Sequence, residues 1–244
     1  MIPPTLGADS RPMPRQLTLP FAFNPELGFD QFHPGVNAEP VRHLRQTAAG
    51  RGERLIFLWG GPGTGKTHLL NACCREAAGR SRTISYLPLD LLMAWDSGVL
   101  EGLEHQDLVC LDEIDRIAGD PAWEAALFVL FNRIRDRNRD LIVAARVPPG
   151  ELPIRLPDLK TRLGWGLTLR LQALTDEDKL AVLELQARTL GLDLPPQVGR
   201  FLLAHCPRDL PALRRLLNQL DQASLATKRR LTVPFVKTFL GESP

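Results

Sequence analysis

The chain has 244 residues, 44% of them hydrophobic and 24% charged, and its 30 basic and 28 acidic side chains leave a formal net charge of +2. This length accommodates one large domain or two small ones with a substantial core. The near balance of charge gives no reason to expect binding to nucleic acid or to a membrane surface through bulk charge. No apolar run approaches the roughly 18 residues that span a bilayer, and the proline-broken start is not a signal peptide.

The first 22 residues predict a flexible tail. "MIPPTLGADSRPMP" contains four prolines and little to bury, so we expect it to be disordered. The next stretch, "RQLTLPF" at residues 15 to 21, is different because it places three apolar side chains ahead of any domain feature. Four cysteines (Cys73, Cys74, Cys110 and Cys206) lack the spacing of metal ligands and are expected to be buried thiols in a reducing cytoplasm.

Residues 23–172 predict an α/β subdomain. Apolar runs at 55–59, 83–89, 107–112 and 141–145 have the length and composition of buried strands, and helix-compatible sequence separates them. This alternation indicates a parallel sheet with crossover helices.

Residues 173–244 predict a small helical lid. One helix begins after Thr175, a plausible cap, and ends at Gly191, with Leu180, Leu183, Ala187 and Leu190 on one face. A second helix is expected from Pro195 to His205. A third is expected from Leu210 to about Lys228, with Leu213, Leu217, Leu220 and Ser224 on one face.

The first chemical motif is "GGPGTGKT", which satisfies G-x-x-x-x-G-K-[ST] between a strand and a helix. Glycines let backbone N–H groups surround phosphate oxygens at a helix N-terminus, a lysine brings positive charge, and a threonine hydroxyl can bind Mg²⁺. The expected nucleotide-binding residues are Gly60, Gly61, Pro62, Gly63, Thr64, Gly65, Lys66, Thr67 and His68.

The second motif is "LVCLDEID". Its apolar run delivers Asp112 to the end of a strand, where the carboxylate can hold Mg²⁺ together with Thr67, and places Glu113 beside it to polarise water.

These motifs, with "FDQFHPGVN" upstream and "DLKTRLGWGL" downstream, resemble the AAA+ domain of the bacterial replication initiator DnaA over about residues 27 to 240. The resemblance implies a five-stranded parallel P-loop sheet flanked by helices and followed by an all-helical lid, with ADP or ATP as ligand and Mg²⁺ where the ion is present. It implies that Arg162 is an arginine finger directed at a neighbouring subunit's ATP; the alternative is a surface arginine or one in an ion pair within its own domain. Trp165 is expected to belong to the core and to support the loop of Arg162. It also assigns an adenine pocket to Phe29, Phe32, Gly35, Val36 and Asn37.

The ends of the chain depart from the initiator pattern. DnaA continues beyond its lid into a helix-turn-helix domain, whereas only four residues follow Leu240 here, so no sequence-specific DNA binding is expected. The tail resembles the short peptide by which polymerases dock on the β sliding clamp; its expected clamp-binding residues are Gln16, Leu17, Thr18, Leu19, Pro20 and Phe21. The alternative is that this run packs on its own domain. The combination resembles the DnaA-homologous regulatory inactivators of DnaA.

Two further departures concern hydrolysis. Ala144 and Ala145 stand where the family usually offers a polar first sensor, and Pro211 stands where a second-sensor arginine is usual. Arg208 and Arg214 are near replacements, but both are expected to face solvent. The bound nucleotide is therefore expected to be structural, most plausibly ADP, and turnover in this chain is expected to be slow.

The resemblance implies a cytoplasmic, replisome-associated negative regulator of replication initiation. Tethered to the clamp on DNA, it would insert Arg162 toward ATP held by DnaA and so produce inactive ADP-bound DnaA; a homodimer is also possible. One alternative is an ATP-hydrolysing helicase loader or single-stranded-DNA motor. Another is a nucleotide-binding module with no catalytic influence on a partner.

Overall fold

The structure, a computed structural model, describes residues 23–206, 210–227 and 229–241. Its centre is a parallel sheet of five strands in the order β2-β3-β4-β1-β5. The strands are β1 (Leu55–Trp59), β2 (Ile84–Pro88), β3 (Leu108–Asp112), β4 (Asp140–Ala145) and β5 (Leu167–Arg170). The predicted parallel five-stranded sheet is confirmed, and the four apolar runs correspond to β1 through β4.

Helices cover both faces of the sheet. They are α1 (Ala38–Ala48), α2 (Lys66–Ala78), α3 (Leu89–Leu92), α4 (Pro121–Asp136) and α5 (Pro157–Leu163). Alternate residues of each strand enter opposite cores: Phe57 and Val143 pack on the side of α4 and α5, whereas Ile56 and Ile142 pack on the side of α1 and α2. Because both faces are buried, the strands read as continuous apolar runs.

Four helices form the lid: α6 (Asp176–Thr189), α7 (Pro196–His205), α8 (Leu210–Thr227) and α9 (Val233–Phe239). Leu183, Leu213 and Leu217 are fully buried in its core. The prediction that Leu190 lies on the apolar face of this helix is wrong, because Leu190 is the residue after α6 and is 39% exposed. The sequence interpretation also missed α9, which begins after a Thr232 cap.

The segment before α1 makes specific polar contacts with the start of the lid and with the linker that leads to it. The side chain of Asn37 donates to the carbonyl of Gln172 at 3.1 Å and accepts from the Gln172 N–H at 2.8 Å. His33 Nε2 lies 3.2 Å from an Asp178 carboxylate oxygen on α6. The segment before α1 therefore contacts the lid. The subdomain boundary predicted at residue 172 falls between β5 and α6 and stays a prediction.

Two sequence interpretations bear on the remaining parts of the chain. Cys73, Cys74 and Cys110 are buried free thiols, as expected, whereas Cys206 is only partly buried. The proposed clamp peptide at residues 16–21 lies outside the described residues. Within the described ranges, no helix is both long enough and apolar enough to cross a membrane.

Candidate functional site

The phosphate loop connects the end of β1 to the first turn of α2, as its sequence predicts. Gly65 immediately precedes α2 with a φ of +95°, a conformation that favours glycine, and a Cβ atom there would lie 2.6 Å from the Phe32 ring. A Cβ atom on Gly60 would lie 2.5 Å from the carbonyl oxygen of Leu171. Close packing therefore requires glycine at both positions, and the backbone conformation favours glycine at position 65 as well.

Lys66 folds back over this loop. Its ammonium donates to the carbonyl oxygens of Gly60 at 2.6 Å and Gly61 at 2.9 Å, and the residue is 8% exposed. Burial lowers the pKa of Lys66, while the carboxylates of Asp112 and Asp115 act in the opposite direction. This ammonium is thus a buried positive charge at the position where the motif places phosphate groups.

Asp112 is buried at the end of β3 and receives three hydrogen bonds. One carboxylate oxygen accepts from the Thr67 hydroxyl at 2.7 Å and from the Tyr86 hydroxyl at 3.1 Å, and the other accepts from the Glu113 N–H at 3.0 Å. Burial raises the pKa of Asp112, and these hydrogen bonds oppose the rise. The sequence interpretation missed Tyr86, which β2 places beside Asp112 through their parallel pairing.

The Thr67 hydroxyl and the Asp112 carboxylate form an oxygen donor pair of the kind that Mg²⁺ prefers, and they are already in contact. Among the described residues, no group of three or more His, Cys, Asp or Glu side chains could hold a metal ion. The pair fits a Mg²⁺ ion that takes its other ligands from nucleotide phosphates and water.

A cavity of about 360 Å³ opens above the phosphate loop, within the range typical of small-molecule sites. It lies between the loop, the segment before α1 and the lid. The sequence-predicted residues that line it are Phe32, Pro62, Gly63, Thr64, Gly65, Lys66, Thr67, His68, Asp112 and Glu113. Gly60 and Gly61 do not line it but hold Lys66 through their carbonyls.

An aromatic wall bounds one side of the cavity. The Phe32 and His68 rings lie 5.4 Å apart between centroids, and His68 Nε2 is 2.9 Å from the Gly28 carbonyl oxygen. Burial lowers the pKa of His68, and the positive charge of Arg214 adds to that effect. A neutral imidazole beside a phenyl ring suits a planar, uncharged base.

Four of the five residues expected in the adenine pocket do not line the cavity: Phe29, Gly35, Val36 and Asn37. Phe29 turns into the core on the α1–α2 side, where the Arg45 guanidinium lies 4.9 Å from its ring. Val36 is 55% exposed, and Asn37 is engaged with Gln172. Within the same segment, Phe32 and His33 do line the cavity.

Arg146 and Arg214 also line the cavity, although the sequence interpretation did not place them there. Arg146 directly follows β4, so its position after an apolar strand was the available signal. The expectation that Arg214 faces solvent is wrong: it is half-buried, burial lowers its pKa, and its Nε finds no hydrogen-bond partner within the described part of the chain. Leu210, four residues earlier on α8, lines the same cavity, so both residues share one helix face.

Arg162 lies elsewhere. It sits in the last turn of α5, and its guanidinium carbon is 4.3 Å from the centre of the Phe128 ring and 5.3 Å from that of Trp165. Its Nη1 is buried without a hydrogen-bond partner in the described residues, and Trp165 is 55% exposed. Trp165 borders a depression near the starts of β1 and β4, whereas the phosphate loop follows the end of β1. Arg162, which contacts Trp165, thus lies near the starts of the strands, whereas the cavity lies near their carboxyl ends.

Two family models match this chain. Residues 56–157 match "ATPase family associated with various cellular activities (AAA)", and residues 176–240 match "Hda, lid domain". The first range holds the phosphate loop, Asp112 and Glu113, and the second holds α6 to α9.

Solved structures share the fold. Domain III of the Thermotoga maritima replication initiation protein DnaA has a TM-score of 0.77 at 21% identity, covering 91% of this chain and 98% of that one. AMPPCP-bound DnaA from Aquifex aeolicus has a TM-score of 0.68 at 21% identity, covering 81% of this chain and 66% of that one. The Thermotoga maritima RuvB Holliday junction branch migration motor has a TM-score of 0.65 at 18% identity, covering 87% and 70%.

At these identities the structural matches establish the fold alone, and the family models add the lid type and the AAA domain. The parallel sheet, the phosphate loop, and a lid that matches the Hda model agree with one another. This chain therefore has a fold like that of DnaA domain III, with an AAA domain over residues 56–157 and a lid of the Hda type over residues 176–240.

Proposed function

We propose that this protein is a negative regulator of replication initiation that supplies Arg162 to ATP held by DnaA. A guanidinium beside the γ-phosphate stabilises the charge that develops during phosphoryl transfer and raises the rate by about 10³ to 10⁵ in systems where it has been measured. Hydrolysis then converts ATP-bound DnaA into the inactive ADP-bound form. The partner's turnover would thus depend on docking of this chain.

The placement of Arg162 is the observation that carries the proposal. A cation that served this chain's own nucleotide would line the cavity, as Lys66 does, but Arg162 does not line it and instead contacts Trp165 near the starts of β1 and β4. It has a buried nitrogen with no hydrogen-bond partner in the described residues and is held by aromatic rings. A half-buried cation that forms no ion pair within the described residues is suited to an anion on another molecule.

The nucleotide in this chain's own cavity is proposed to be a structural ligand, chiefly ADP, with Mg²⁺ at Thr67 and Asp112 when the ion is bound. Lys66 and Arg214 supply positive charge for its phosphates, and Phe32 and His68 supply an aromatic wall for its base. At the end of β4, Ala144 and Ala145 stand where the resemblance places a polar first sensor, and both are fully buried and carry no polar side-chain group. We therefore expect slow turnover by the chain itself.

The tail is proposed to tether the protein to the β sliding clamp. In the sequence, Gln16 can hydrogen-bond at a pocket rim, while Leu17, Leu19 and Phe21 can fill apolar clefts. A peptide this short binds weakly alone, so its role would be to raise the local concentration of the AAA+ domain near DnaA.

The test measures hydrolysis of DnaA-bound ATP in the presence of DNA-loaded clamp. Arg162→Ala is expected to lower the stimulated rate by about 10³ or more because the transition-state cation is lost. Lys160→Ala, on the same helix, is the matched control and should retain stimulation. If Arg162→Ala stimulates as wild type does, the proposed function is wrong.

A tail variant separates tethering from catalysis. Leu17→Ala/Leu19→Ala should lose stimulation at low protein concentration and regain it when the concentration is raised, because only the local concentration has changed. Arg162→Ala should not recover at any concentration. Permanent loss in the tail variant would contradict a tethering role.

A second candidate function is an ATP-driven motor or helicase loader, and one observation favours it. Glu113 stands beside Asp112 in the cavity, as hydrolysis by the chain itself would require. Rapid ATP turnover by the isolated protein, stimulated by single-stranded DNA and indifferent to Arg162→Ala, would support this function instead.

A further inference from the structure

Glu113, the residue expected to polarise water, is held by two arginines. Its Oε2 lies 3.3 Å from Nε of Arg116, and its Oε1 lies 3.3 Å from Nη2 of Arg146. Each carboxylate oxygen therefore faces a guanidinium. Of the two arginines, only Arg146 lines the cavity.

The backbone fixes this arrangement from both sides. Glu113 follows β3 with φ of +56° and ψ of +49°, a left-handed conformation that is uncommon for residues other than glycine. Its N–H donates to the Asp112 carboxylate, which sets the direction in which the chain leaves the strand. The Arg146 N–H donates to both carboxylate oxygens of Asp115, at 2.9 and 3.0 Å. The loop that carries Glu113 is thus bonded directly to the residue that pairs with it.

This pairing has a chemical consequence. A carboxylate that polarises water must offer an oxygen lone pair toward that water. When both oxygens are engaged by guanidinium groups, the carboxylate is a weaker acceptor and points toward its partners. A glutamate in this arrangement is present in the site but restrained.

We propose that Arg146 is a positioning residue that restrains Glu113 and thereby slows hydrolysis of the nucleotide in this chain's own cavity. The inference rests on the proposed function, in which that cavity binds an adenine nucleotide that the chain turns over slowly. The restraint of Glu113 is a second cause of slow hydrolysis, and the sequence did not suggest it. The alanines at the end of β4 lack a group that would assist hydrolysis, whereas the pairing withholds a group that is present. Substitution of Arg146 can therefore relieve the restraint on Glu113 without adding any group to the site.

The experiment measures single-turnover hydrolysis of ATP by the full chain in the absence of DnaA. Arg146→Gln is expected to raise the rate about three- to five-fold, the range for release of one partly exposed ion pair. Arg146→Lys keeps a cation without the planar fork and should give a smaller rise. Because a misfolded protein does not gain activity, the rise itself reports the proposed restraint.

Three controls make the result specific. Glu113→Gln introduced together with Arg146→Gln should abolish the gain, which assigns the activity to this carboxylate. Arg116→Gln frees the other oxygen from outside the cavity and should raise the rate less than Arg146→Gln does. Arg42→Gln, which removes an exposed arginine of α1, should leave the rate unchanged.

Two outcomes would overturn the inference, and they are distinguishable. If Arg146→Gln binds a fluorescent ADP analogue and stimulates DnaA as wild type does, but hydrolyses ATP no faster, the restraint is wrong and the proposed function stands. If the wild-type protein binds no adenine nucleotide, the proposed function and the inference fail together.

Discussion

Two half-buried arginines in different regions of the molecule each keep a nitrogen without a hydrogen-bond partner in the described residues, and their surroundings differ. Arg214 extends from the lid into the cavity above the phosphate loop. Arg162 lies against Phe128 and Trp165, near the starts of the strands and away from the cavity. Burying a charged group without a partner is costly, so each position is understandable where an anion completes it. We interpret Arg214 as serving a nucleotide in this chain and Arg162 as serving one in a partner.

The largest expected difference between the two arginines is in the affinity of this chain for ADP. Arg214→Ala should weaken binding of a fluorescent ADP analogue about ten-fold or more, because a charge-assisted hydrogen bond in a partly buried site is lost. The exposed neighbour Arg215→Ala is the matched control and should bind as wild type does. Arg162→Ala should also bind ADP normally. Weakening by Arg162→Ala that equals the effect of Arg214→Ala would refute the division of roles.

A smaller effect is expected when the aromatic support of Arg162 is removed. Trp165→Ala should lower stimulation of DnaA-bound ATP hydrolysis about three- to ten-fold, since a cation–π contact that orients the guanidinium is lost while the guanidinium remains. Trp165→Phe keeps an aromatic face and should recover most of the activity. ADP binding, measured in parallel, should not change in either variant. A loss as complete as that of Arg162→Ala would mean that Trp165 contacts the partner directly.

The smallest effect concerns the start of the lid. Thr175 caps α6 by accepting from the Asp178 N–H at 3.1 Å, and the Asp178 carboxylate accepts from the Thr175 N–H at 3.2 Å. Thr175→Ala should lower the free energy of unfolding by about 1 kcal/mol in chemical denaturation. Thr175→Ser retains the hydroxyl and should remain close to wild type. Stimulation of DnaA by Thr175→Ala at low temperature should be unaffected, because Arg162 does not lie on the lid.

Much of the fold follows from local sequence. "LIFLW", "LVCLD" and "LIVAA" become strands because their continuous apolar character suits burial on both faces of a parallel sheet. β5 was not marked in this way, because "LTLR" alternates buried and exposed residues and is too short to give a clear pattern. The Thr175 cap was recognisable for the opposite reason, since a capping box is a local hydrogen-bond pattern.

The candidate site was predictable only in part. "GGPGTGKT" and "LVCLDEID" carry their own geometry, so Lys66, Thr67 and Asp112 meet as expected. Phe29 was expected at the base pocket, but which side of a turning segment faces a cavity depends on packing against α1 and α2.

The sequence by itself determined the positions of β1 to β4, the phosphate loop and the acidic pair after β3, because each rests on a pattern of residues close in the chain. Only the tertiary structure decided that Arg214 enters the cavity and that Arg146 pairs with Glu113. It also decided that Arg162 lies near the starts of the strands, away from the cavity. Those three placements arise from contacts between distant segments. The direction of a long, flexible side chain is set by the partners that packing brings to it, and the neighbouring residues in the sequence do not specify those partners.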